Sequence, residues 1–339
     1  MNGVEWLTHA RGLFEPALRG AVETLDPFLG RVASYHFGWC EPDGTPATGN
    51  AGKALRPGLA LLVARAVGGD LAPAVPGAVA VELVHNFSLV HDDVIDRDRE
   101  RRHRATVWTV WDDTTAILAG DAMLSLAHEV LADADSPYER QAQKALAAAT
   151  RAVIRGQAED VAFEQRGDVG LEECLAMAGG KTGALLAVSA SIGAILAGAP
   201  AETVRAFDTF GAEVGLAFQI VDDLLGIWGS TAVTGKPVFA DLAAGKKTLP
   251  VVWSIEYGGD AGADLAAWFA AHESRSQATP EELKRAADLI EKAGGREWAT
   301  TAADTHVATA LAALEGLGLD EEPHATLVDL AHFVTERKL

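Results

Sequence analysis

The chain has 339 residues, 49% of them hydrophobic but only 6% aromatic, and a formal net charge of −20 at pH 7. So acidic a balance argues against a nucleic-acid partner and against adhesion to anionic membranes. The two cysteines, Cys40 and Cys174, have no metal-ligand spacing and form no disulfide framework, which fits a reduced, cytoplasmic setting. Alanine, leucine, glutamate and arginine favour helix and long alternating β-branched runs are missing, so the chain reads as all-α. The start, Met1-Asn2-Gly3-Val4-Glu5, lacks the basic region and apolar stretch of a signal peptide. A first helical hairpin ends in the turn-rich stretch 41–51. Helical patterns then run over 54–68, 73–98, 110–132, 137–163, 171–179, 181–198, 201–227, 245–257, 260–271, 279–294, 296–314 and 322–337, with loops expected near Gly68-Gly69, Gly179-Gly180 and Gly258-Gly259. Thr279-Pro280-Glu281-Glu282 predicts a helix start, with Thr279 as cap and Pro280 in the first position. The stretch 183–201 carries no charge over 19 residues, but its Gly, Ala and Ser content predicts a close-packed core helix, and no transmembrane segment is expected.

Two aspartate clusters stand out: Asp92-Asp93-Val94-Ile95-Asp96, and Asp222-Asp223-Leu224-Leu225-Gly226. Each follows an apolar run at helical spacing. On a helix, Asp92 and Asp96 lie one turn apart, and Gln219, Asp222 and Asp223 share a face. Carboxylates so placed repel one another, and a cation is the natural compensation. Oxygen-only ligands suit a hard ion such as Mg²⁺, held by one or two carboxylates together with phosphates. Basic residues follow each cluster: Arg97, Arg99, Arg101, Arg102 and Arg104 after the first; Lys236, Lys246 and Lys247 after the second. Acid for metal followed by base for phosphate predicts a magnesium-diphosphate site. Because the clusters must meet to share metal, one domain is expected over 1–339, with the motifs between 50 and 250 and the helices of 260–337 part of it.

Six segments occur in order: Gly52-Lys53-Ala54-Leu55-Arg56-Pro57; Glu82-Leu83-Val84-His85 leading to Asp92-Asp93-Val94-Ile95-Asp96; Arg101-Arg102; Gly180-Lys181-Thr182; Phe218-Gln219 leading to Asp222-Asp223; and Gly235-Lys236-Pro237 continued by Asp241-Leu242 and Lys246-Lys247-Thr248-Leu249-Pro250. This pattern resembles the trans-isoprenyl diphosphate synthases, or polyprenyl synthetases, most of all the bacterial geranylgeranyl diphosphate synthases. The resemblance implies a single-domain bundle of antiparallel helices around a deep central cavity (the isoprenoid synthase fold), usually a homodimer. It implies head-to-tail joining of isopentenyl diphosphate to an allylic diphosphate with release of pyrophosphate, and Mg²⁺ as cofactor, three ions with substrate bound. By the same resemblance Asp92, Asp93, Asp96, Asp222 and Asp223 are metal-site residues. Lys53, Arg56, His85 and Arg102 match isopentenyl diphosphate positions. Arg101, Lys181, Thr182, Gln219, Lys236 and Lys246 match positions near the allylic diphosphate. Asp92, Asp93, Asp96, Asp222, Arg101, Lys181 and Lys236 are then the catalytic set, acting on the departing diphosphate. Arg97, Arg99 and Arg104 read as a solvated charge run.

The pattern departs from the family at Trp108, where histidine is frequent, and at Gly226, which replaces the third carboxylate of the second cluster. That carboxylate is the least direct metal contact in the family; if it only supports the metal, Gly226→Asp should change turnover little, whereas a gain of orders of magnitude would mark a degraded or specialised synthase. A mid-helix glycine costs about 1 kcal/mol relative to alanine and so needs a reason. For product length, Phe87 lies five residues before Asp92, roughly 7.5 Å at about 1.5 Å per residue, with small Ser88 beside it. In the family this arrangement implies an all-trans C20 product, with C15 next. A class I terpene cyclase would need a different metal motif on the second helix and would have no use for Lys53, Arg56, His85 and Arg102. A non-catalytic subunit of a heteromeric synthase would not need an intact first cluster.

Overall fold

Helix starts follow local capping chemistry. In this computed structural model, which describes residues 1–47, 49, 52–164, 166–231, 237–271 and 278–335, Asn2 caps α1 (Gly3–Val22) in a reciprocal box with Glu5. Asp26 and Pro27 open α2 (Pro27–His36). Next come α3 (Leu55–Ala66), α4 (Val75–Ile95), the short α5 (Val107–Val110) and α6 (Asp113–Ala132), whose cap Asp112 accepts from the Thr115 N–H at 2.6 Å. Then follow α7 (Glu139–Glu164), α8 (Leu171–Ala178), α9 (Ala184–Leu196) and α10 (Ala201–Trp228). The single-turn α11 (Ala240–Ala244) precedes α12 (Leu249–Tyr257), α13 (Gly259–Ala271), α14 (Pro280–Ala293), α15 (Gly295–Ala313) and α16 (Glu321–Thr335). Thr279 caps α14 in a box with Glu282, as the sequence predicts. The protein is all-α. Strand among the described residues is confined to one hairpin, Glu100–Arg101 with Arg104–Ala105, and an isolated Cys40–Pro46 bridge.

Two predicted boundaries move for local reasons. The helix expected from 245 starts at Leu249, because Thr248 is extended and Pro250 occupies the first turn. The loop expected at Gly179-Gly180 is instead a π-helical turn, Gly179–Gly183, joining α8 to α9 without a break. Its glycines serve close approach. A Cβ on Gly215 would lie 2.6 Å from the Gly183 Cα, and one on Gly180 would lie 3.0 Å from the Ala152 carbonyl.

The chain forms two compact units. The first comprises Met1–Thr150, Ala187–Asp208 and Glu315–Leu330; the second comprises Arg151–Leu186, Thr209–Leu314 and the described residues from Ala331. In the first, the Trp6 indole donates to the Gly58 carbonyl at 2.8 Å, and Gly193 of α9 packs against the Ala60 carbonyl of α3, where no side chain fits. The predicted apolar core helix is therefore present, with Ile192 and Ala194 buried in this unit. In the second unit, Ile227, Leu242, Val251, Leu265 and Ile290 form one core cluster and Ile220, Leu224, Leu249 and Val252 another. Each such side chain contributes roughly 1.5–3 kcal/mol through burial. By length and composition, Ala72–Ile95, Asp113–Ala132 and Leu171–Leu196 could cross a membrane. Their most apolar windows are 67%, 44% and 83% buried within the protein, so only α6 leaves most of such a stretch uncovered.

Candidate active site

In the first unit, α4 and the hairpin build a cationic cradle beside the first aspartate cluster. The Asp96 N–H donates to the Asp92 carbonyl at 2.8 Å, closing the helix with the two residues one turn apart. Asp93 is 1% exposed. Arg101 donates to it from both Nε (2.8 Å) and Nη2 (2.7 Å), but both bonds go to Oδ1, leaving Oδ2 buried with no hydrogen-bond partner. Burial raises the Asp93 pKa despite the guanidinium, while the carboxylate raises that of Arg101 against the opposing effect of burial. Arg101 and Arg102 are placed by the hairpin, where Arg102 (φ 53°) and His103 (φ 63°) take the left-handed conformations of a tight turn. The Arg102 guanidinium packs on Gly52 (φ 78°), where a Cβ would lie 2.8 Å from Nη2, and Arg11 holds the Gly52 carbonyl. Lys53 follows, exposed, and Ala54 (φ 53°) turns the chain into α3.

Arg56, on the first turn of α3, donates from Nη1 to His85 Nε2 at 3.3 Å. Burial, then Arg56 and Arg102, hold the His85 pKa well below its usual value, so the ring is neutral and accepts this bond. Burial likewise lowers Arg56 to about 10. Behind them lies Glu82, 5% exposed, whose pKa is raised by burial and lowered by Asn86, Arg56 and Arg102. The Asn86 amide donates to the Glu82 carboxylate at 3.1 Å and accepts from His36 Nε2 at 3.0 Å. Glu82, Asn86 and His36 thus back the cradle, a layer missed in the sequence because nothing local marks an acid as buried. Arg104 is no solvated charge: it donates to the Cys40 carbonyl at 2.9 Å and stacks 4.5 Å from the Tyr35 ring centroid. Trp108 donates to the Asp98 carbonyl at 2.8 Å and carries Arg97 and Arg99 over its ring, so it organises the loop after the cluster. Phe87 is buried and meets His91 edge-on at 5.1 Å. His91 approaches the Ile117 carbonyl at 3.0 Å, and Gly120 of α6 leaves it room. Ser88 donates to the His85 carbonyl at 2.8 Å.

In the second unit the Thr182 hydroxyl donates to Gln219 Oε1 (2.6 Å), and Gln219 Nε2 donates to Asp223 Oδ1 (2.7 Å). The Leu249 N–H donates to Asp223 Oδ2 at 2.9 Å. Burial, with Asp241 and Asp222 adding to it, still pushes the Asp223 pKa up to about 8. Asp222 is exposed beside it, and the Lys246 N–H ties to the Asp241 carbonyl at 2.8 Å. Lys181 pairs with Asp160 at 2.5 Å across Gly156, where a side chain would strike the Gly180–Lys181 backbone. Gly156-Gln157-Ala158-Glu159-Asp160 therefore belongs to the site, although the sequence reading passed over it; its signal was a glycine and two acids on one helix, three to four residues apart. Both polar atoms of the Gln157 amide are buried without partners. Lys236 lies outside the described residues. Gly226 is no simple vacancy: an ideal Cβ there would meet the Asp241 carboxylate, so a side chain at 226 requires that of Asp241 to shift.

Among the described residues no three Asp, Glu, His or Cys side chains come together as a ready-made cation cage. Each unit sets a buried carboxylate beside fixed donors: Asp93 with Arg101 in the first, Asp223 with Gln219 and the Leu249 N–H in the second. The profile of the polyprenyl synthetase family matches residues 44–290. The chain belongs to the polyprenyl synthetase family. This polyprenyl synthetase is 54% identical over 329 residues to the (2E,6E)-farnesyl diphosphate synthase of Mycobacterium tuberculosis (strain ATCC 25618 / H37Rv), covering 97% of this chain and 92% of that protein. It is 42% identical over 313 residues to the geranylgeranyl diphosphate synthase of the same strain, covering 92% and 89%. A solved polyprenyl synthetase from Streptomyces coelicolor A3(2) matches with a TM-score of 0.93 and 46% identity, covering 98% of this chain and 99% of that one. The polyprenyl synthetase is thus an enzyme, a trans-prenyltransferase that condenses isopentenyl diphosphate with an allylic diphosphate.

Proposed function

We propose that this enzyme makes (2E,6E)-farnesyl diphosphate, C15, rather than the C20 product that Phe87 and Ser88 led us to expect. The observation that carries this is the 54% identity to a farnesyl diphosphate synthase against 42% to a geranylgeranyl diphosphate synthase. The spacing of Phe87 from Asp92 sets a depth along α4 but says nothing of whether the ring can turn aside. Edge-on packing against His91, itself confined by Gly120 and Ile117, supports a floor that stays closed.

In this reading Asp92, Asp93, Asp96, Asp222 and Asp223 hold Mg²⁺ on the allylic diphosphate. The residues fit the ion: Asp93 keeps one buried carboxylate oxygen unpartnered, and the donors are all hard oxygen. When bound, Mg²⁺ acts as a Lewis acid that neutralises charge on the departing oxygens. Arg101, Lys181, Lys236 and Lys246 supply fixed positive charge where pyrophosphate develops. Thr182 and Gln219 orient Asp223, and the Gln219 carbonyl dipole can steady the allylic cation. Lys53, Arg56, His85 and Arg102 hold isopentenyl diphosphate so that its double bond attacks that cation. The released pyrophosphate takes the proton that leaves, so no protein base is required. We also propose a homodimer, supported by exposed Ile117 (45%) and Leu118 (51%) on α6 and Ile95 (48%) at the end of α4. Light-scattering mass decides that point.

The test is incubation of purified enzyme with labelled isopentenyl diphosphate, Mg²⁺ and C5, C10 or C15 allylic primers, with products read by mass. C15 is expected from the C5 and C10 primers. C20 as the main product overturns the length proposal, and a cyclic hydrocarbon overturns the mechanism.

A further inference from the structure

His36, closing α2, and Asn86, on α4, lie behind the cationic cradle of the first unit rather than in it. Asn86 is fully buried. Its amide nitrogen donates to two oxygens of Glu82, the backbone carbonyl at 2.8 Å and Oε1 at 3.1 Å. A backbone carbonyl only accepts, so the NH₂ group is fixed on that side and Oδ1 on the other. There Oδ1 meets His36 Nε2 at 3.0 Å, and that nitrogen must carry the hydrogen. Burial, then Arg102 and Arg101, keeps the ring neutral. Every hydrogen in this chain therefore points towards Glu82. The end of α2 is tied a second time: the Tyr35 hydroxyl donates at 2.7 Å to the Ala105 carbonyl, in the hairpin that carries Arg102. The far end of the chain matters because of what Arg56 and Arg102 lack. Among the described residues neither forms an ion pair. Arg56 makes one hydrogen bond, to His85, and its Nε is buried with no partner. Glu82, buried behind them, is the acid whose charge acts on both guanidiniums.

We infer that His36 and Asn86 are positioning residues for isopentenyl diphosphate: they hold the Glu82 carboxylate where it steadies Arg56 and Arg102 before the diphosphate arrives. The inference rests on the reading that Lys53, Arg56, His85 and Arg102 take that substrate, and it adds how two of those cations are kept in place. Guanidiniums gathered for a diphosphate repel one another until it binds. An acid that acts on both offsets the repulsion, so less ordering is left for the substrate to impose. The Asn86 bond to Oε1 stops that acid from turning towards one arginine alone. Among the described residues no member of the chain hydrogen-bonds to Asp92, Asp93 or Asp96. Its loss should therefore be felt by isopentenyl diphosphate and not by the allylic substrate.

The experiment compares wild type, H36F, H36Q, N86L and H36F/N86L as full-length proteins. KM is measured for each substrate with the other saturating, and isopentenyl diphosphate alone is titrated onto the enzyme by calorimetry for its Kd. Phenylalanine keeps a ring of similar size without the N–H, and glutamine keeps an N–H donor without the ring. H36F and N86L should raise KM and Kd for isopentenyl diphosphate about tenfold, the scale of leaving one buried polar group unpaired, with kcat and the allylic KM within about twofold. H36Q should stay close to wild type. The double variant should be no worse than N86L, because both changes act through one carboxylate. The inference is overturned if H36F binds isopentenyl diphosphate like wild type, or if H36Q is as impaired as H36F. It is overturned equally if the allylic KM rises in step, since a merely structural loss would spread to both substrates. Should N86L not fold, H36F against H36Q decides alone. R56K separates the two levels. An unchanged KM for isopentenyl diphosphate in R56K sinks the reading of the cradle and the inference with it. A selective rise in R56K with none in H36F sinks the inference alone.

Discussion

Asp93→Asn should leave the fold standing and remove the activity. The substitution keeps the shape of the side chain and removes its charge. Two Arg101 bonds to Oδ1, at 2.8 and 2.7 Å, lose the acceptor's charge while the guanidinium keeps its own, a loss of about 1–2 kcal/mol. Against this stands the burial of a carboxylate whose Oδ2 has no partner. The folded-state pKa of Asp93 is raised, so the ionised group is less favourable in the fold than in the unfolded chain. At pH 7 it therefore subtracts from stability, and the subtraction fades as pH falls towards the unfolded value. Asparagine removes that term. The two effects oppose each other, and the net change should lie within about 1 kcal/mol, a melting shift of roughly 4 °C or less. Turnover should fall about a hundredfold or more, because one negative metal-facing oxygen is worth on the order of 3 kcal/mol in the transition state. Calorimetry on the ligand-free protein and a labelled isopentenyl diphosphate assay read the two quantities separately. A variant that melts ten or more degrees lower would make Asp93 a structural ion-pair partner. One that turns over within a few-fold of wild type would refute its place at the diphosphate.

Gly156→Ala places a methyl against the Gly180–Lys181 backbone, so urea unfolding should show about 1–3 kcal/mol of lost stability; an unchanged midpoint refutes the tight α7 approach. Phe87→Ala should open the floor braced by His91 and move the product from C15 towards C20, read by mass; an unchanged product distribution refutes the floor. Burial, with Arg102 and Arg101 adding to it, lowers the His36 pKa to about 3, so the unfolded chain binds a proton below about pH 6.5 that the native ring does not. Stability should then fall by up to about 1.4 kcal/mol per pH unit in that window, and His36→Gln, which keeps the donor to Asn86, should flatten the slope in urea titrations at pH 6.5 and 5; parallel slopes refute it.

Much of the architecture was legible because its causes are local. The cap at Thr279, the apolar run of α4 and the acid-then-base order after each cluster all lie within a few residues of what they determine. What escaped reading depends on partners far along the chain. A glycine carries no sign of whether it makes a turn or admits a neighbour, so Gly179-Gly180 was read as a loop, whereas the turn continues and its glycines face other backbone. Arg104 looked like one of several solvated arginines; the Cys40 carbonyl and Tyr35 ring that hold it come more than sixty residues earlier. Glu82 was quoted only as the start of a motif, yet it lies buried, and burial raises its pKa against the opposing pull of Asn86, Arg56 and Arg102. Gly226 shows the limit most clearly. In one dimension it is a missing aspartate; in three, the space belongs to a residue fifteen positions later. A motif records which residue types occur along one helix, whereas the chemistry needs a charge at a point in space.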